Sequence, residues 1–175
     1  MRLSALNHLV AAVQAIAASE RILVLGSSSL LGSFPELGEP GGPLEKTFDA
    51  DLLVEPCDEQ LAAVLHEAVG EGSLFAQRTG FHADILRQAI TETLSPGWEV
   101  RLVSFDVARN VAALAVEDLL LVKLRTGRPK DLSLVRELMQ RKLATVETLR
   151  ARLDATPLAE REIVLAYQRL REVSV

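Results

Sequence analysis

The chain predicts a mixed α/β fold: one helix, a middle of strands and helices, then a tail of about four helices. Three observations predict it. Short β-branched and apolar runs at residues 21–25, 48–54 and 81–86 are bounded by glycine, proline or polar residues, as strands are. Apolar residues recur at three- to four-residue steps in residues 2–18 and again from Glu117 onward, as on one face of a helix. A chain of 175 residues, 49% hydrophobic and 25% charged, suits one domain or an α/β core with a helical appendage.

The elements follow in order. Leu3, Leu6, Val10, Val13 and Ala17 form the buried face of a first helix. Residues 21–25 make the first strand. Gly26 ends it, and Ser27, Ser28 and Ser29 offer capping hydroxyls before a short helix at Leu30 and Leu31. Residues 33–46, rich in glycine and proline, form a loop. Residues 48–54 make the second strand, closed by Pro56. Alternation sends Phe48, Ala50, Leu52 and Val54 one way and Asp49, Asp51 and Leu53 the other. A helix over 58–69 buries Leu61, Val64, Leu65 and Ala68. Residues 81–86 are the third strand, with His82 and Asp84 on one face. After the Pro96-Gly97 turn, 98–105 is a fourth strand and 111–116 a fifth. The tail opens with an apolar helix that stops at Gly127. Pro129 starts the next helix, with Leu132, Val135, Leu138 and Met139 as its stripe. Thr145 and Thr156 cap the last two, with Pro157 at the first position of the second. The boundaries expected are an α/β core over 1–116 and a helical segment over 117–175 packed on it.

Several classes drop out. A lone cysteine, Cys57, forms no internal disulfide and no cysteine-based zinc site, which fits a reducing cytoplasm. Arg2 and the run at 9–17 loosely resemble a signal peptide. Asn7, His8 and Gln14 interrupt that run, and helical spacing favours a core-facing helix. No stretch reaches the roughly 18–20 apolar residues of a membrane span. The net charge is −5, unevenly placed. Residues 1–120 hold 7 Lys/Arg against 17 Asp/Glu, whereas 123–152 hold 9 against 3. The basic segment is either a solvated helical face or a surface for phosphates.

The chemistry centres on Asp49 and Asp51. Aspartate is a poor strand former, and two like charges on one face repel. A divalent cation offsets both penalties, and magnesium prefers carboxylate oxygens while keeping positions for water and phosphates. The alternative is an exposed edge strand with two solvated acids. The upstream bend adds to the first reading: Gly26 lets backbone approach a phosphate, and a Ser27 hydroxyl can bond its oxygen. Asp84 is a third candidate carboxylate, or else a surface acid.

Six runs carry a resemblance: VLGSSSLLGSFP at 24–35, TFDADLLVEP at 47–56, GEGSLF at 70–75, GFHADI at 80–85, PGWEVRLV at 96–103 and EDLLLVKLRTGRPKD at 117–131. Together they resemble a family of uncharacterised bacterial nucleotidyltransferase-like proteins, whose superfamily includes the AbiEii-type toxins. The resemblance spans about 20–140. It implies a short mixed sheet flanked by helices. It also implies transfer of a nucleoside monophosphate from a triphosphate to an acceptor, with pyrophosphate released. It places metal, one or two magnesium ions, on Asp49 and Asp51, and the nucleotide on Gly26, Ser27, Ser28, Lys123 and Arg128. Catalysis falls on Asp49, Asp51, Asp84 and Lys123, with Asp84 helping to deprotonate the acceptor. Lys123, Arg128, Lys130 and Asp131 match a run of the toxin-like branch. Lys123 is otherwise a solvated lysine near a helix C-terminus, and Asp131 pairs with Arg128 or caps a helix.

The acceptor stays open among RNA, protein and a small molecule. The second reading is a catalytically weak nucleotide-binding protein, or one component of a toxin–antitoxin pair with a partner toxin or antitoxin. The three histidines, His8, His66 and His82, show no ligand spacing, although His82 shares a face with Asp84. Trp98 reads as a core anchor. Arg78, Arg101 and Arg109 are cations that sequence gives no reason to choose among.

Overall fold

The computed structural model describes residues 1–18, 21–105 and 110–174. The chain divides into two units, Met1–Gln88 with Leu102–Leu114, and Ala89–Arg101 with Ala115–Val175.

The first unit contains the sheet. Helix α1, Leu3–Ile16, buries Leu6, Val10 and Val13 as their spacing predicts, with Leu9 added to that face and Leu3 only half-buried. Strand β1 is Arg21–Val24 and β2 is Asp49–Glu55. Helix α2, Glu59–Val69, starts where Asp58 accepts a hydrogen bond from the Leu61 N–H at 2.8 Å. Helix α3, Leu74–Thr79, is capped likewise by Ser73, and Gly80 ends it at φ +80°, a conformation that disfavours any side chain. Strands β3, His82–Ile85, β4, Val103–Ser104, and β5, Val111–Ala113, complete a sheet of order β3-β2-β1-β5-β4. It is mixed: β1 runs antiparallel to β2 and parallel to β5, while β2 and β3 are parallel. The middle strands bury both faces, since Ile22, Leu23, Val24, Leu52, Leu53 and Val54 are all at most 1% exposed. That explains why 22–24 and 52–54 read as continuous apolar runs.

The second unit is helical. Helix α4, Val116–Thr126, packs against α5, Pro129–Gln140, α6, Val146–Ala155, and α7, Glu160–Val173. Gly127 closes α4 at φ +66° and Pro129 opens α5, as expected. Among the described residues no helix is long and apolar enough to cross a membrane.

Four local expectations need correction. Residues 98–105 are not one strand: Trp98–Arg101 is a 3-10 turn and only Val103–Ser104 pairs with β5. Arg101 turns inward to a buried carboxylate, so the alternation of this run does not describe a sheet face. Trp98 is nonetheless a buried anchor. In α2 the buried residues are Leu65 and Val69, while Val64 is 45% exposed, because the helix turns its stripe by one residue. The loop at 33–46 contains a 3-10 turn, Pro35–Gly38. Finally, Thr156 follows the end of α6 rather than opening α7. Its hydroxyl donates to the Arg152 carbonyl, and Glu162 instead accepts from the Ala159 N–H at the start of α7.

Candidate metal and phosphate site

The site begins where β1 leaves the sheet. The Leu25 N–H donates to the Asp51 carbonyl at 3.0 Å, which holds the bend against β2. A Cβ on Gly26 would fall 1.6 Å from Asp51 Oδ2 and 2.5 Å from its Cγ. The glycine therefore matters for close approach to this side chain, not for a left-handed dihedral: its φ is −86°. The backbone of the bend and the Asp51 carboxylate occupy adjoining space, so the close approach at Gly26 is to a carboxylate.

Parallel pairing of β2 and β3 assembles the acids. Asp51 sits beside Asp84 in register, and Asp49 beside His82. Paired residues share a face. Carboxylate oxygens of Asp49, Asp51 and Asp84 thus lie within 4.8 Å of one another. Asp49 and Asp51 are half-buried and Asp84 is exposed. His82 Nε2 is 3.8 Å from Asp84 Oδ1. Oxygen ligands of one octahedral magnesium ion are about 3–4 Å apart, so this all-oxygen donor set fits such an ion after small side-chain rotations.

The serines follow Gly26 in a 3-10 helix, Ser27–Gly32. Ser27 is half-buried, but Ser28 and Ser29 are each 1% exposed, and among the described residues neither hydroxyl has a hydrogen-bond partner. The resemblance implies Ser28 as a nucleotide contact but does not extend that role to Ser29. The only signal for Ser29 in the sequence is the uninterrupted serine run itself.

The other expected residues lie in the second unit. Lys123 is 7% exposed, so it is not a solvated lysine. Its Nζ is 2.9 Å from Asp131 Oδ1, and Arg128 Nε is 2.6 Å from Asp131 Oδ2. Burial alone would raise the Asp131 pKa; hydrogen bonds from Arg128 and Lys123 outweigh it and hold the carboxyl below its ordinary value. Asp118, which no sequence signal marks, is fully buried. It accepts two 2.8 Å hydrogen bonds from Arg101 and one from the Ser95 hydroxyl. Hydrogen bonding to Asp118 raises the Arg101 pKa further, and it answers why Arg101 is present: it partners a carboxylate. Arg109 lies outside the described residues. His8 stands edge-on to Phe75 and Phe81, and burial pushes the Cys57 thiol up, away from a reactive thiolate.

A five-stranded mixed sheet flanked by helices, with three clustered carboxylates beside a serine bend, defines a mixed α/β protein with an acid-lined site. The chain belongs to the family described as "nucleotidyltransferase of unknown function" (DUF6036), whose model matches residues 1–171. No curated protein and no solved structure matches it.

Proposed function

We propose that this protein transfers a nucleoside monophosphate from a nucleoside triphosphate to an acceptor hydroxyl in a magnesium-dependent reaction. The observation that carries the reading is the gathering of Asp49, Asp51 and Asp84 oxygens within 4.8 Å, against a bend where any Cβ would displace the Asp51 carboxylate. Asp49 and Asp51 would hold one or two magnesium ions, which when bound would neutralise charge on the triphosphate and polarise the α-phosphoryl group. The half-buried Ser27 hydroxyl donates to phosphate oxygens beside the Gly26 bend, whereas Ser28, buried in this structure, is assigned to the nucleotide by the family resemblance alone. Asp84 accepts the proton of the attacking hydroxyl; the new oxygen–phosphorus bond forms as the bond to the β-phosphate oxygen breaks and pyrophosphate leaves. Lys123 and Arg128 are assigned to the triphosphate by the family resemblance alone, as is a place in the toxin-like branch.

The test is a thermal-shift series with each nucleoside triphosphate and magnesium, followed by incubation of α-labelled nucleotide with total RNA and total protein. A magnesium-dependent shift and a labelled product, both lost in Asp51→Asn, are expected. A shift without product in any fraction identifies a nucleotide-binding protein instead. No shift with any nucleotide rejects the reading.

A further inference from the structure

The three acids of the site are not held alike. Asp51 lies against the Gly26 bend, where a Cβ would meet its carboxylate. Asp49 stands on the inner strand β2 and is half-buried. Asp84 stands on β3, the edge strand of the sheet, with its side chain 50% exposed. A side chain that open samples several staggered rotamers, and it loses that freedom when an ion fixes it. Whatever restrains Asp84 therefore bears on how well three oxygens converge.

Among the described residues Asp84 has one partner outside the acid cluster, His82, whose Nε2 is 3.8 Å from Asp84 Oδ1. Alternation puts the two on one face of β3, and register puts His82 beside Asp49. Asp49, Asp51, Asp84 and His82 are thus the four corners of one patch. His82 is the better anchored of the pair. Its side chain is 20% exposed, and its backbone N–H donates to the Phe48 carbonyl at 2.9 Å. It is not a fourth ligand in this arrangement: among the described residues, the ligand atoms that gather within 4.8 Å of one another belong to the three acids.

The chemistry of the pair fits a place behind the ligands. The two atoms stand a little beyond the roughly 2.7–3.2 Å of an N–H···O bond. The same small rotations that draw three oxygens onto one ion would close that gap. A neutral imidazole with its proton on Nε2 is a donor, so the bond needs no charged histidine. It would occupy one lone pair of the carboxylate and leave the others for the ion or the acceptor proton.

We propose that His82 is a positioning residue: its Nε2–H donates to Asp84 Oδ1 and holds that carboxylate toward Asp49 and Asp51. The third acid is then in place before metal and nucleotide arrive. This rests on the nucleotidyltransferase reading of the same site and adds a residue to it. His82 touches neither ion nor phosphate; it acts through Asp84.

The test uses the whole chain and manganese ion, a paramagnetic probe that shares magnesium's preference for oxygen ligands. Affinity is read by calorimetry, with the ion alone and with ATP. His82→Gln keeps bulk and an N–H donor, whereas His82→Leu keeps bulk and removes the donor. Partners that hydrogen-bond metal ligands are worth about 10–100-fold in affinity, so His82→Leu should bind manganese at least about tenfold more weakly and His82→Gln should recover most of that loss. Added to Asp84→Ala, His82→Leu should cost less than about twofold more, because residues that act through one another are not additive. Wild-type affinity in His82→Leu, a His82→Gln no better than His82→Leu, or the same loss with and without the Asp84 carboxylate would overturn the proposal. So would coupling of an imidazole nitrogen in the electron spin-echo spectrum of bound manganese, which would make His82 a ligand. If wild type binds no manganese, with or without ATP, the nucleotidyltransferase reading fails first and this inference falls with it. Wild-type binding that His82→Leu leaves intact rejects this inference alone.

Discussion

The two units handle buried and crowded carboxylates in opposite ways. In the second, a single carboxylate collects cations: Asp118 is fully buried and holds Arg101 by two hydrogen bonds, and Asp131 holds Lys123 and Arg128. Opposite charges converge, hydrogen bonds satisfy the oxygens, and the cost of burial is offset. In the first, carboxylates collect one another. Asp49, Asp51 and Asp84 are brought together by strand register, although moving any one of them off the face would reduce repulsion. The contrast separates two meanings of a polar residue in a core-forming element. One arrangement pairs charges of opposite sign, and the other gathers charges of like sign, the oxygen donor set on which the proposed magnesium site rests.

Asp118→Ala gives the largest expected effect. It leaves Arg101 without its carboxylate inside the helical unit, and the loss should be about 3–5 kcal/mol in denaturant unfolding. A loss below about 1 kcal/mol would place Asp118 with ordinary surface pairs and dissolve the contrast.

Asp51→Asn should act in the other direction on stability. Removing one of three clustered charges should leave the melting temperature of the metal-free protein unchanged or higher, while nucleotide transfer falls by about a hundredfold or more. A clear drop in melting temperature would show that Asp51 belongs with Asp118 as a structural acid.

Gly26→Ala is a narrower probe. Its Cβ cannot coexist with Asp51 Oδ2 as placed, so the carboxylate must shift. Magnesium affinity, read by calorimetry, should weaken by about tenfold while the fold persists, the size expected when a ligand is displaced rather than removed. Unchanged affinity would mean that Asp51 can hold metal from elsewhere.

The smallest effect concerns pH. The Asp131 carboxyl titrates below its unfolded value, so its contribution to stability is complete above about pH 4 and is lost as pH falls through the lower folded value. Urea unfolding of wild type should weaken across that acid window. In Asp131→Asn that part of the acid limb should disappear. Identical limbs in the two proteins would show that Lys123 and Arg128 do not hold the carboxylate ionised.

Legibility in the sequence followed physical range. Where a feature depends on neighbours along the chain, it could be read: the periodicity of α1, the strand at Asp49–Glu55, Gly127 closing α4, and the Gly26 bend. Where it depends on a distant partner, it could not. Residues 98–105 alternate like a strand, yet Arg101 is turned inward by Asp118, seventeen residues away. Thr156 and Pro157 look like a helix start, but Glu162 supplies the polar contact at the start of α7. Lys123 looks like a solvated helix-end lysine, and burial against Asp131 contradicts that. Arg101, one of three unassigned cations, finds its role only through tertiary contact.

The candidate site divides in the same way. Sequence alone determined that two aspartates share a strand face and that a glycine-serine bend precedes them, because side-chain alternation and turn chemistry are local properties. Only the tertiary structure decided that Asp84 lies beside Asp51, that the bend touches that carboxylate, and that Ser28 and Ser29 are buried. Those facts depend on strand register and on packing between segments far apart in the chain, and no local propensity specifies which strand lies next to which.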